Sequence, residues 1–169
     1  MKRILIITAD KCDDLEVMYP YYRMIEEGCQ VDIASFEKTM IKAKYHYEIC
    51  ANVLLSEVDC ESYDGIILPG GSAPEKLRLN EDVLRIIRTF MDMRKPTAAI
   101  CHGQQILVSA SVLRGRHATC YSGIKDDLIN AGAVYEDTAV VVDENLITSR
   151  YPNDLPFFIK KFIEVLYGI

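Results

Sequence analysis

Four short runs in this chain, residues 3–8, 31–35, 65–68 and 97–100, are apolar nearly end to end instead of at every second position. A strand with water on one face alternates, whereas one buried on both faces must be covered on both, and sheets covered on both faces by helices are mostly parallel. Between and after these runs lie stretches of helical type. They are residues 13–27 with Gly28 as a stop, 81–93, 103–111, 124–130 closed by Ala131-Gly132, and 153–167. The alternation predicts an α/β architecture, a doubly wound and mostly parallel sheet sandwiched by helices. Residues 40–53, rich in Tyr and Lys, read as an antiparallel ribbon beside the main sheet. Residues 140–149 read as a hairpin turning at Asp143-Glu144-Asn145. With 169 residues, 50% of them hydrophobic, the chain is long enough for one substantial core, so residues 1–169 are expected to form a single domain.

Charge and cysteine usage exclude several functions. Lysine plus arginine number 19 against 25 aspartate plus glutamate, a formal net charge of −6, and no basic block stands out. Nucleic acid is therefore not an expected partner. The first apolar run is only strand length and no stretch approaches bilayer length, so the expectation is a soluble, cytoplasmic protein without a membrane partner. The six cysteines (12, 29, 50, 60, 101, 120) are scattered, without C-x-x-C and without zinc-ligand spacing to a histidine except the adjacent pair 101 and 102. No metal or cofactor is expected, and most of the thiols read as reduced, buried small hydrophobes.

The ligand site of a doubly wound sheet lies outside the carboxyl ends of its strands, and three loops of interest fall there: residues 10–14, 69–75 and 101–102. Cys101-His102 follows the apolar run 97–100 and precedes Gly103 and a helical stretch, the setting in which a sharp turn exposes a nucleophile. A thiol at a helix N-terminus is expected to have a lowered pKa. His102 is the nearest acid or base, although adjacent side chains on a tight turn do not easily face each other. The run Leu68-Pro69-Gly70-Gly71 brings glycines that permit close backbone approach, and the N–H groups of Gly71 and His102 are candidate oxyanion donors. Carboxylates at Asp13, Asp14 and Glu16 open the first helix, where they offset its dipole; of these, Asp13 is the expected carboxyl over the cysteine. Glu75 reads from spacing alone as a solvated loop charge. His46 and His117 have no motif around them.

At these residues the chain resembles the PfpI family of intracellular cysteine proteases, in the superfamily that includes the Parkinson-disease-associated protein. The resemblance runs through Asp13-Asp14-Leu15-Glu16 with Tyr19-Pro20-Tyr21, Leu68-Pro69-Gly70-Gly71 with Ala73-Pro74-Glu75, and Ile100-Cys101-His102-Gly103. It continues through Gly123-Ile124-Lys125-Asp126-Asp127 with Asn130-Ala131-Gly132, and Ser149-Arg150 with Asp154-Leu155. It implies a flavodoxin-like sandwich in which Cys101 is the nucleophile, His102 its partner, and Gly70, Gly71, Tyr121 and Arg150 the surrounding oxyanion and substrate residues. It also implies that Glu75 reaches the histidine of a neighbouring subunit, so that a homodimer, assembled further into a hexamer, completes the site. Relatives carry a glutamate whose carboxyl hydrogen-bonds the reactive sulfur, and Asp13 is taken to stand at that position as a shorter replacement.

The implied activity is that of a cysteine-nucleophile hydrolase acting on peptide carbonyls. The alternatives are a glyoxalase or deglycase acting on methylglyoxal-type aldehydes, and a non-enzymatic redox-sensing stress chaperone. A glutamine amidotransferase shares the cysteine turn but needs a histidine late in the chain, and none follows His117.

Overall fold

The computed structural model describes all residues, 1–169. Its centre is a seven-stranded sheet built from β1 (Arg3–Ile7), β2 (Gln30–Ser35), β5 (Val53–Leu54), β6 (Gly65–Leu68), β7 (Thr97–Ile100), β10 (Val140–Asp143) and β11 (Leu146–Ser149). The order across the sheet is β10-β11-β7-β6-β1-β2-β5, and only β10 runs antiparallel to its neighbour. β1, β6 and β7 are buried along almost every residue, which is why they are apolar on both faces. From β1 the chain moves to β2 on one side and later returns to β6 on the other, so the strand order reverses beside β1.

Helix α1 (Asp14–Glu26) packs with α6 (Leu155–Tyr167), while α3 (Glu81–Asp92) and α4 (Gln104–Ser109) pack together with α2 (Ala73–Leu77) and α5 (Lys125–Asn130) alongside. Phe158 and Phe162 of α6 are fully buried. The approach of α6 is close enough that a Cβ at Gly65 would stand 2.9 Å from the Phe162 ring, so only glycine lets this helix settle on β6. The ribbon expected over 40–53 is present as β3 (Met40–Lys42) paired antiparallel with β4 (Glu48–Cys50), and the 140–149 hairpin is β10–β11.

Two elements differ from the sequence expectation. The loop taken to run from 69 to 75 turns helical at Ala73, so Glu75 sits on α2. A small parallel pair, β8 (His117–Ala118) with β9 (Val134–Tyr135), borders the sheet, and its two-residue strands are too short to show a period in the sequence. No helix is long and apolar enough to cross a membrane.

Candidate active site

The carboxyl ends of β1, β6, β7 and β11 open on one cavity of about 560 Å³, whose wall includes Cys101, His102, Glu16, Asp13, Gly71 and Glu75. Cys101 takes the left-handed backbone conformation, φ +63°, which a side chain rarely adopts. The surrounding structure imposes it. The Cys101 N–H donates to Ser149 O at the end of β11 (3.1 Å), and the Cys101 carbonyl accepts from Tyr121 N (3.2 Å). Directly behind the turn, the buried Gln104 amide donates to Thr119 O and Ser149 O (both 2.8 Å) and approaches Ala99 O at 3.2 Å, tying three chain segments to the start of α4. This conformation answers the doubt about neighbouring side chains: Cys101 Sγ lies 3.2 Å from His102 Nδ1.

The second loop is joined to the first. Asp13 N donates to Gly70 O (3.2 Å), Ser72 N donates to Lys11 O (2.9 Å), and Cys12 bridges to Gly71. Gly71 has φ +80°, lines the cavity, and its N–H donates to no group of the chain. Gly70 does not line the cavity; its N–H is taken by Glu16 Oε2 at 2.6 Å. Of the two glycines, Gly71 is therefore the one placed to face a substrate oxygen. Gly70 is there because a Cβ would stand 2.5 Å from Glu16 Oε2 and 2.8 Å from Cys101 Cβ.

The carboxyl beside the sulfur is Glu16, which corrects the expectation for Asp13. Asp13 caps α1, its Oδ1 accepting from Leu15 N (3.0 Å) and Glu16 N (3.2 Å), and so lies on the cavity wall without being the group that pairs with the thiol. Glu16 is fully buried, on the same helix face as Val17, Pro20 and Met24, and its carboxyl meets the Cys101 thiol. The shortened carboxyl taken from the sequence therefore does not exist: a full-length glutamate occupies the place, one turn further along.

Burial, and then the charge of Asp13, raise the Glu16 pKa to about 8. Burial, and then the charge of Glu16, push the Cys101 thiol up, while the His102 N–H pulls it down. The lowered thiol pKa expected from the helix start is thus overturned, because α4 is only six residues long and the thiol is buried among carboxyls. Two anions in such contact are costly, so the pair does not carry two charges at once. His102 is pushed below its ordinary value, first by burial and then by the charge of Lys44. It is a neutral imidazole near neutral pH. Its ring rests against Tyr121, centroids 4.8 Å apart.

Arg150 was expected to touch substrate, and it does not line the cavity. Its guanidinium is bound to Asp154 (2.9 and 3.1 Å) and Asp137 (3.0 Å). The Asp154 pair ties down the turn that puts Tyr151 and Pro152 into the wall. Because Asp154 is buried, Arg150→Met is expected to destabilise the fold by about 3 kcal/mol, measured by urea denaturation. It should raise KM more than it lowers kcat, since the wall moves and the nucleophile does not.

Lys44, Tyr45, Gln105 and Tyr151 also line the cavity and were not singled out from sequence. Glu16 alone among the missed residues left a signal, its helical register with the apolar positions 17, 20 and 24. Five of the six cysteines are buried and Cys50 is exposed. His117 lies against Glu136 at 3.4 Å, and neither it nor His46 lines this cavity. No group of three His, Cys, Asp or Glu side chains is clustered to hold a metal ion.

Residues 2–165 match the model of the DJ-1/PfpI family. The chain is 48% identical to Deglycase PH1704 of Pyrococcus horikoshii over 164 residues, covering 97% of this chain and 99% of that protein. It is 47% identical to Deglycase PfpI of Pyrococcus furiosus, with the same coverage. It is also 34% identical to the putative cysteine protease YraA of Bacillus subtilis, covering 98% of each. Among solved structures, DJ-1beta of Drosophila melanogaster superposes with a TM-score of 0.92 at 28% identity, over 99% of this chain and 91% of that one. With a family model matched from residue 2 to residue 165, relatives up to 48% identical over nearly the whole length and the fold shared with a solved member, this chain belongs to the DJ-1/PfpI family.

Proposed function

We propose that this protein is a Cys101-dependent deglycase, removing small carbonyl adducts from amines and thiols. The observation that carries the reading is the group Cys101–His102–Glu16, gathered in a cavity of about 560 Å³ beside the unpaired N–H of Gly71. The relatives named deglycases support it. For an aminocarbinol formed by an amine and methylglyoxal, the Cys101 thiol gives its proton to His102 as the sulfur bonds to the carbinol carbon and the C–N bond breaks, and His102 passes that proton to the leaving amine. The resulting hemithioacetal loses its C–H proton to Glu16, which returns it to the neighbouring carbon. The first carbon is oxidised and the second reduced, giving a lactoyl thioester with no external oxidant. Oxyanions formed on the way face Gly71 N–H. Water, deprotonated by His102, then releases lactate and restores the thiol.

Glu75 is exposed and makes no side-chain hydrogen bond or ion pair within the chain, while lining the same cavity. A second copy of the chain is the proposed source of its partner, with the Glu75 carboxylate orienting the neighbour's His102 in a homodimer and, through it, a hexamer. A peptidase is the second reading, favoured by Tyr45, which lines both the cavity and an apolar groove along Leu15, Met18 and Tyr22 and so offers an extended chain a path past Cys101.

The test uses methylglyoxal-modified albumin freed of unbound aldehyde, beside unfolded casein, each with wild type and Cys101→Ser. Release of lactate from the modified albumin by wild type, lost by at least about a thousandfold in Cys101→Ser, is the expected result. Cleavage of casein without lactate release would replace the deglycase with the peptidase.

A further inference from the structure

The only lysine or arginine in the cavity wall, Lys44, takes no part in these steps. Its place is determined by backbone. Lys44 N donates to Cys12 O at 2.8 Å, Ala43 N donates to Tyr47 O at 3.0 Å, and His46, at φ +73°, closes the turn by donating to Ala43 O at 2.9 Å. Asp14 accepts from Tyr45 N (2.7 Å) and Tyr47 N (3.1 Å), so the β3–β4 turn is bound to the start of the helix that presents Glu16. The charged groups facing the cavity are Asp13 and Glu16 from α1, Glu75 from α2 and His102 from the elbow. Tyr45, Tyr121 and Tyr151 add only phenols. The charges of Asp13 and of ionised Glu16 oppose formation of thiolate at Cys101, and Lys44 is the lysine of the wall that opposes them.

We propose that Lys44 is an electrostatic positioning residue, whose ammonium favours loss of the first proton from the Cys101–Glu16 pair and keeps His102 neutral. The proposal rests on the reading of Cys101 as the nucleophile and adds a charge that favours ionisation of the pair to which its thiol belongs. Its direction agrees with two neighbours, since the Lys44 charge lowers the pKa of both Glu16 and His102. Because Lys44 is exposed, the effect is screened by salt.

The experiment follows iodoacetamide alkylation of Cys101 against pH in a Cys50→Ser background, which removes the exposed thiol. Lys44→Met is expected to raise the alkylation midpoint by about 0.5–1 pH unit at low salt, and Lys44→Arg is expected to restore it. Lys42→Met, on the same ribbon but outside the cavity, should leave the midpoint in place. An unchanged midpoint in Lys44→Met overturns the proposal. So does an equal shift in Lys44→Arg, which would trace it to packing, or in Lys42→Met, which would trace it to net charge. Far-UV circular dichroism checks that each variant is folded. Alkylation needs no substrate, so absence of deglycase turnover would sink the proposed function and leave this result standing.

Discussion

Glu16→Ala is expected to slow alkylation of Cys101 near neutral pH by at least about tenfold, while Asp13→Ala leaves it close to wild type. Below about pH 8 Glu16 keeps its proton, and a protonated carboxyl beside a thiol donates to the thiolate and favours it, whereas the ionised carboxylate opposes it. Removing it leaves a buried sulfur that must ionise without that donor. Asp13, bound to two N–H groups of α1, is expected instead to cost about 1 kcal/mol of stability on truncation, as helix caps do. The opposite ranking of the two variants in an alkylation time course would return the role to Asp13.

The same carboxyl makes stability depend on pH. Glu16 ionises in the folded protein at about 8, far above the ordinary carboxylate range, because burial opposes its charge. The folded state therefore holds this proton more tightly than the unfolded chain does. Its stabilising share is complete below the unfolded carboxylate pKa and is lost as pH rises through the folded value. Between about pH 5 and about pH 8 the loss is on the order of 3 kcal/mol. Glu16→Gln has no such proton, so urea denaturation should show the wild type weakening across this range and the variant changing much less. Parallel pH profiles for the two proteins would show that Glu16 is already ionised when folded.

Gly70→Ala is expected to reduce turnover by at least about a hundredfold while destabilising the fold by about 1–3 kcal/mol. The added methyl would lie 2.5 Å from Glu16 Oε2, 2.8 Å from Cys101 Cβ and 3.0 Å from His102 N. Each of these atoms must move for it to fit, and all three belong to the reacting group. Backbone φ is not the obstacle here, since only Gly71 of the pair is left-handed. Denaturation and lactate release measured on one preparation separate the two effects. Wild-type turnover in Gly70→Ala would mean that the site tolerates a displacement of that size.

Much of this architecture follows from local composition. Strands such as Ile66-Ile67-Leu68 are apolar on both faces because helices cover both faces, and that demand is written residue by residue. The elbow at Cys101 was likewise legible, since a strand, a reactive residue and a glycine before a helix stand consecutively in the chain. Pairings between distant segments were not. Whether Asp13 or Glu16 reaches the thiol depends on how α1 lies on the loop after β6, which Gly70 N–H and Glu16 settle across 54 residues. Arg150 looked like a substrate ligand in the chain, and its buried contact with Asp154 emerged only when the turn after β11 closed. Lys44 entered the cavity because Asp14 captured the turn that carries it, an arrangement with no local period. The thiol pKa went the same way: a helix start alone lowers it, and burial beside Glu16 reverses the sign. Sequence thus determined the sheet, the elbow and the cysteine it carries, which local pattern specifies. Tertiary structure decided which charges surround that thiol, because electrostatic neighbours are set by distance in space.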